Sequence, residues 1–246
     1  MAKVIVITGG GKGLGRALSR RLAADGEQVV LLGRTLAKLE KTAAEIGAQA
    51  LPVACDVGSA DSVRAAFAAI AKRHPRIDVL INNAATYEPF MLEDARDDQI
   101  LTSLATNLAG PIFCTRAALP MLPRGGQIIN VSSESVSEPF HMHSLYRSTK
   151  AGLEKFSEAM TRELQPRGIR VTVVRAGSMM GDDSALDLAP DVRQNFVEGN
   201  IAVGIDFRKR PISPFASVTN VFRALIDLPP DVYADLVSLH AYAAER

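Results

Sequence analysis

Val4-Ile5-Val6-Ile7-Thr8-Gly9-Gly10-Gly11-Lys12-Gly13-Leu14-Gly15 is a strand-forming run that passes straight into a glycine-rich turn, and from Leu14 the apolar residues recur at helical spacing. Four successive β-branched aliphatic residues with no polar alternation suit a strand covered on both faces. Glycines let the backbone turn tightly and approach a pyrophosphate, whose charge is favoured at a helix N-terminus. The spacing Gly9-x3-Gly13-x-Gly15 departs from G-x-G-x-x-G. A P-loop is excluded, because Gly10-x4-Gly15 is followed by Arg16 where Lys is required.

The same alternation continues outward. Short apolar runs at 28–33, 50–55, 77–82, 126–132 and 169–175 read as further strands. Helical spacing appears at 14–25, 35–46, 59–74, 97–122 and 145–165, with Ser59 and Asp61 as starts and Gly26, Gly47 and Gly168 as stops. Pro111 predicts a kink or break in the fourth of these. A helix at 215–227 and a last strand at 232–240 follow. The pattern predicts a single α/β domain over residues 1–246, a doubly wound parallel sheet in three α/β/α layers. Residues 178–214, rich in Gly, Asp, Asn and Pro, read as a long variable loop of the kind that carries function.

Composition narrows the class. The 246 residues are 47% hydrophobic with a net charge of +1, which gives no electrostatic case for nucleic acid or an anionic membrane. No apolar run reaches a membrane span, and the opening strand leaves no room for a signal peptide. Cys55 and Cys114 sit in apolar stretches without metal-ligand spacing, which predicts reduced core thiols and a cytoplasmic setting. Arg208-Lys209-Arg210, the one tight basic cluster, reads as a solvated loop.

Tyr146 and Lys150 stand at i and i+4, one above the other on a helix face, with Ser133 thirteen residues before the tyrosine. An ammonium ~4 Å from a phenolate at an effective dielectric of ~20 attracts it by about 4 kcal/mol. At ~1.4 kcal/mol per pK unit, that brings a tyrosine toward neutrality, where it can exchange protons. A serine hydroxyl alongside could hold a carbonyl oxygen. A Ser–His hydrolase is the competing reading, since His141 and His143 follow Ser133, but no G-x-S-x-G elbow surrounds any serine. Those histidines read as exposed loop residues, with a substrate contact open for His143. No acidic partner recurs at a ligand spacing, so no metal site is expected.

Together, Thr8-Gly9-x3-Gly13-Leu14-Gly15, Asn82-Asn83-Ala84-Ala85, Asn107, Ser133 and Tyr146-x3-Lys150 resemble the short-chain dehydrogenase/reductase superfamily, in order and at its spacing from residue 3 to about 175. The resemblance implies a Rossmann-type sheet and a nicotinamide dinucleotide held by Gly9, Gly11, Gly13, Leu14 and Gly15. It sets Asp56-Val57 beside adenine and Asn83 near the adenine ribose. It makes Tyr146 the general acid/base, Lys150 the group that lowers its pKa and holds the nicotinamide ribose, and Ser133 the substrate-oxygen ligand. It implies that Asn107 anchors a water in a proton relay. Ser132 is the competing serine, disfavoured by the interval to Tyr146. The resemblance also implies a homotetramer or homodimer paired through the fourth and fifth helices. Ala105, Leu108, Ile112, Ala151, Leu153 and Phe156 could supply contact surface or core.

Cofactor choice is readable at the end of the second strand. NAD-binding proteins place an acid there for the ribose 2′-hydroxyl. This chain has Gly33 and then Arg34, with Lys12 in the glycine turn, so a 2′-phosphate meets two cations and no carboxylate. The expected cofactor is NADP(H), and the expected reaction interconverts a small-molecule carbonyl with an alcohol. Two rivals remain: a catalytically weak NADP-binding scaffold, and a reductase of C=C or C=N bonds such as those of pteridines. The family pattern breaks after the sixth strand, where Ala176 and Gly181 replace a proline and a carboxamide-binding threonine. Gly177 and the Met179 backbone remain to hold the nicotinamide end. No terminal Val-Asp-Gly-Gly is present, which argues mildly against an acyl-carrier substrate.

Overall fold

The computed structural model describes residues 2–181 and 188–242. Seven parallel strands form one sheet in the order β3-β2-β1-β4-β5-β6-β9. They are β1 (Val4–Thr8), β2 (Gln28–Gly33), β3 (Ala50–Ala54), β4 (Val79–Asn82), β5 (Gln127–Ser133), β6 (Arg170–Ala176) and β9 (Leu236–Ser238). Two-residue strands β7 (Met179–Met180) and β8 (Ser213–Pro214) pair separately. The helices are α1 (Gly13–Ala24), α2 (Leu36–Ile46), α3 (Ala60–Arg73), α4 (Asp97–Leu104), α5 (Gly110–Ala118), α6 (Ser144–Leu164), α7 (Pro190–Ala202) and α8 (Phe215–Ile226).

The unbroken apolar strands have a simple use. Ile5, Ile7, Val29 and Leu31 face one layer, against Leu14, Leu18 and Leu22 of α1, Leu39 of α2 and Phe222 of α8. Val6, Val30 and Leu32 face the other, against Val63, Phe67 and Ile70 of α3, Cys114 of α5 and Met160 of α6. Period-two alternation therefore fills two cores from one strand, each buried Leu or Ile worth about 1.5–3 kcal/mol. Gly26, Gly47 and Gly168 have φ of 93°, 92° and 66°, the left-handed backbone that ends a helix. Ser59 caps α3, its hydroxyl accepting from the Ser62 amide at 3.3 Å.

Three stretches depart from the sequence expectation. The break foreseen at Pro111 is a π-helical turn, Ala105–Ala109, inside a helical path that continues. Pro111 has no N–H for the carbonyl of residue 107, and the helix widens so that the Gly110 amide bonds back to Ala105. Residues 178–214 are not one loop: they hold β7, α7 and β8, with 182–187 outside the described residues. The last strand is three residues rather than 232–240, since only Leu236–Ser238 pair with β6. Among the described residues no helix is long and apolar enough to cross a membrane.

Candidate active site

β1 lies between β2 and β4, so the chain reverses its direction of winding there and opens a crevice beyond the strands' carboxyl ends. The glycine turn forms its wall. Gly9 and Gly10 amides donate to the Leu32 carbonyl at 2.7 and 3.1 Å, fixing the turn to β2. A Cβ at Gly15 would collide with the Gly9 carbonyl oxygen and lie 2.6 Å from the Asn83 amide nitrogen. The Thr8 hydroxyl accepts from the Asn83 and Ala84 amides, each at 2.9 Å, and Asn83 Nδ2 donates to the Thr8 carbonyl at 2.9 Å. Asn83 lines the crevice while its carboxamide braces the turn.

The cleft holds about 1220 Å³. Gly9, Gly11, Lys12, Gly13 and Leu14 line it with Gly33, Arg34, Asp56, Val57 and Asn83. At one end Lys12, Arg34 and Lys38 are exposed around the mouth; Lys38 is a cation the sequence reading missed. Asp56 starts the turn into α3, its carboxylate accepting from the Gly58 amide at 3.0 Å, and Val57 is buried against Gly110. A glycine-walled crevice of this size, one Cβ short of closure at Gly15 and ringed by cations at one end, fits a dinucleotide carrying an extra phosphate.

The other end meets the candidate catalytic group. Along β5, side chains alternate. Ser132 donates to Glu154 Oε1 at 2.6 Å, and Glu154 is clamped by Arg175 at 3.0 and 2.7 Å, so Ser132 is committed elsewhere. Ser133 hydrogen-bonds Tyr146 instead. Lys150 is 2% exposed, donates to the Val131 carbonyl at 2.7 Å and lies 5.7 Å from the Tyr146 ring centre. Burial pushes the Tyr146 phenol up to about 12, with the Ser133 hydrogen bond pulling it back. Burial pushes the Lys150 ammonium down to about 8. The phenol thus stands above its ordinary value rather than drawn toward neutrality, because desolvation outweighs the Ser133 hydrogen bond.

Asn107, 0% exposed, sits in the π turn. Its Oδ1 accepts from the Thr86 amide at 2.8 Å, and its Nδ2 donates to the Thr86 carbonyl at 2.9 Å and the Thr149 hydroxyl at 3.3 Å. Thr149 in turn donates to the Tyr146 carbonyl at 2.7 Å. Asn107 thus ties the cleft wall after β4 to the helix carrying Tyr146 and Lys150.

Around Tyr146 stands an aromatic collar with no sequence signature. Tyr87 meets its ring edge-on at 5.2 Å and His143 at 5.9 Å; Phe196, on α7, meets His143 at 5.4 Å. His143 is 5% exposed, not an exposed loop residue. Its Nδ1–H donates to the His141 carbonyl at 2.8 Å, and burial lowers its pKa, so it is a neutral ring with Nε2 as an acceptor. His141 is half-buried, its amide donating to Asn200 of α7 at 3.0 Å. Between them Met142 has φ of 60°, a strained conformation for a side-chain-bearing residue beside the cleft it lines.

Beyond β6, Gly177 and Met179 lie on the far side of Ser133; like Ser133, Tyr146, Lys150 and Asn107 they stand behind the cleft's lining, which reaches the group through Thr86, Tyr87 and Met142. Phe215 occupies the place a Cβ at Gly181 would need and stands 3.9 Å from a Cβ at Gly13, which explains why no threonine fits there. The basic cluster divides: Arg208 and Lys209 are solvated beside Asp206, whereas Arg210 turns inward onto Glu134 at 3.2 Å. Among the described residues no group of three or more His, Cys, Asp or Glu could hold a metal.

A family model described as short chain dehydrogenase matches residues 3–185. The chain belongs to the short-chain dehydrogenase/reductase superfamily. This short-chain dehydrogenase is 31% identical over 206 residues to a 3-oxoacyl-[acyl-carrier-protein] reductase of Bos taurus, covering 83% of this chain and 85% of the relative. It is 34% identical over 187 residues to carbonyl reductase family member 4 of Danio rerio, covering 75% and 79%. Among solved structures it resembles a short-chain dehydrogenase of Streptomyces avermitilis, with a TM-score of 0.84 and 25% identity over 98% of this chain and 89% of the other. It also resembles one of Burkholderia cenocepacia in complex with NADP, with a TM-score of 0.81 and 27% identity over 97% and 96%. The superfamily is one of oxidoreductases with a nicotinamide cofactor, so this chain is an oxidoreductase on a Rossmann-type fold.

Proposed function

We propose that this oxidoreductase uses NADP(H) to interconvert a ketone or aldehyde with an alcohol, Tyr146 acting as general acid/base. One observation carries the reading: the Ser133–Tyr146 hydroxyl pair, with buried Lys150 behind it, stands beside a glycine-walled cleft whose other end exposes Lys12, Arg34 and Lys38. NADPH, when bound, supplies the hydride.

The chain's own groups do the rest. Gly9, Gly11, Gly13, Leu14 and Gly15 let the backbone close on a pyrophosphate, and Arg34 with Lys12 meets the 2′-phosphate. Asp56, Val57 and Asn83 border the adenosine, and the backbone at Gly177 and Met179 serves the nicotinamide end. Ser133 and Tyr146 donate to the substrate oxygen as it gains negative charge, and Tyr146 gives up its proton. Lys150 holds the nicotinamide ribose and stands behind Tyr146 as a cation facing the phenolate that forms when the proton leaves. Asn107 keeps Thr86 and α6 in register and anchors the water of the proton relay. Two adjacent hydroxyl donors suit an oxygen substrate better than a C=C or C=N bond.

The buried thiols Cys55 and Cys114 support a reducing, cytoplasmic setting. Leu101 and Leu104, on α4, are 65% and 39% exposed and support pairing of copies into a dimer or tetramer; Leu153 is core instead. The test is absorbance of NADPH over a panel of apolar and aromatic carbonyl compounds. Turnover with a better kcat/KM for NADPH than NADH is expected. Tight NADPH binding with no turnover across the panel would instead make the chain a binding scaffold.

A further inference from the structure

Glu134 follows Ser133 and is a buried carboxylate that the proposed chemistry leaves unused, its side chain 7% exposed. Three distant segments converge on it. The Ser178 hydroxyl donates to Oε1 at 3.1 Å. Arg210 Nη2 donates to Oε2 at 3.2 Å, while its other arm reaches Glu138 at 3.7 Å and its guanidinium stands 5.3 Å from the Phe140 ring centre. His240 Nδ1 lies 3.7 Å from Oε2. Gly177 backs directly onto the same group: a Cβ there would lie 3.1 Å from Glu134 Oε2 and collide with the Leu239 carbonyl oxygen.

The turn leaving β6 is therefore gripped between a carboxylate and the segment after β9. Residue 176 is alanine, so no proline ring stiffens the backbone, and the side-chain position at 181 is taken up by Phe215. Removing a carboxylate from water is costly, and partners from three segments offset that cost only while all are in place. Such a group specifies one arrangement of its neighbours rather than adding bulk stability.

We propose that Glu134 is a positioning residue that fixes the Gly177–Ser178–Met179 backbone against the nicotinamide end of the cofactor, in the role a proline and a threonine would otherwise share. The assignment rests on the NADP(H) reading of the cleft. It ties Ser133, which meets the substrate oxygen, and the turn at 177–179 to one carboxylate, so the substrate and nicotinamide sides of the site are set by the same anchor.

Two probes separate this role from a general structural one: NADPH, which reaches both ends of the cleft, and adenosine 2′,5′-bisphosphate, which reaches only the cationic end. Glu134→Ala should weaken NADPH binding about tenfold or more and move the bound dihydronicotinamide fluorescence toward that of free NADPH. Adenosine 2′,5′-bisphosphate affinity should stay within about twofold. Glu134→Gln, which keeps an acceptor for Ser178, should recover much of the loss, and Ser178→Ala should show a smaller loss of the same selectivity. Equal losses for both ligands, or unchanged NADPH binding in all three variants, would overturn the proposal. If Glu134→Ala does not fold, the Gln and Ser178 variants decide by the same comparison. Wild-type protein that binds neither ligand would overturn the cofactor reading itself, a result distinct from loss of selectivity.

Discussion

The two ends of the cleft are built on opposite principles. The cationic end is made of absent side chains and exposed charge: Gly9, Gly13 and Gly15 keep the wall thin, and Lys12, Arg34 and Lys38 stand in solvent. The catalytic end is made of burial: Lys150, His143 and Asn107 are nearly inaccessible, and aromatic rings surround Tyr146. An open, charged end recognises a ligand through long-range attraction and backbone amides, at little cost to the fold. A buried end holds proton-transferring groups in place, and their desolvation weighs on stability.

Removing chemistry from the buried end should produce the largest effect. Tyr146→Phe keeps the ring contacts with Tyr87 and His143 but loses the proton donor. Turnover should fall by about 10²–10⁴-fold while NADPH titration shows binding retained. A rate within about tenfold of wild type would break the contrast, since the half-buried phenol would then be an onlooker. At the open end Gly15→Ala drives a methyl into the Gly9 carbonyl and the Asn83 carboxamide. An overpacking strain of about 1–3 kcal/mol predicts NADPH affinity lowered by one to two orders of magnitude, measurable by calorimetry.

Arg34→Asp should act on the open end alone. Losing a charge-assisted bond of about 1.5–3 kcal/mol should lower kcat/KM with NADPH about 10–100-fold and raise it with NADH, leaving kcat nearly unchanged. A parallel loss with both cofactors would place the 2′-phosphate elsewhere.

The smallest effect sharpens the stability side. Lys150 has a folded pKa near 8 against an ordinary 10.5, so the unfolded chain holds the proton more tightly, and stability on this account rises as pH climbs from 8 to 10.5. Below pH 8 the amine is a full liability. Lys150→Met should therefore be inactive yet raise the thermal midpoint by a few degrees at pH 7, a gap that narrows by pH 10. Tyr146 runs the other way: its folded pKa is raised from 10 to about 12, so the stability it contributes is lost only as pH rises through that window.

These contrasts also explain what was readable beforehand. Glycine spacing and strand–helix alternation are local, so the sheet, its order of elements and the cationic end could be argued from residues near one another in the chain. Ser133, Tyr146 and Lys150 were found because their intervals are fixed by one strand end and one helix. Tyr87, Glu134 and Phe215 were not, because each acts through partners far away: Tyr146, Arg210 and Ser178, and Gly181 in turn. An acid beside Ser133 and an aromatic just past Ala85 were visible, yet no interval tied them to those partners. The burial of His143 and the raised phenol of Tyr146 depend on how α7 and the segment 138–143 fold over the site. That was lost when 178–214 read as irregular.

The π turn at Ala105–Ala109 carries a consequence for how this chain tolerates change. A wide turn is what one additional residue leaves behind when it enters a regular helix, and everything downstream is rotated by about 100° relative to the uninterrupted spiral. Cys114 and Thr115 face the core only because of that added phase, with Arg116 left outside. Residue count across 105–109 is accordingly matched to the turn's width: losing one alanine there would let the helix close to a regular spiral with Cys114 and Thr115 still facing the core, at the cost of the widened turn that carries Asn107.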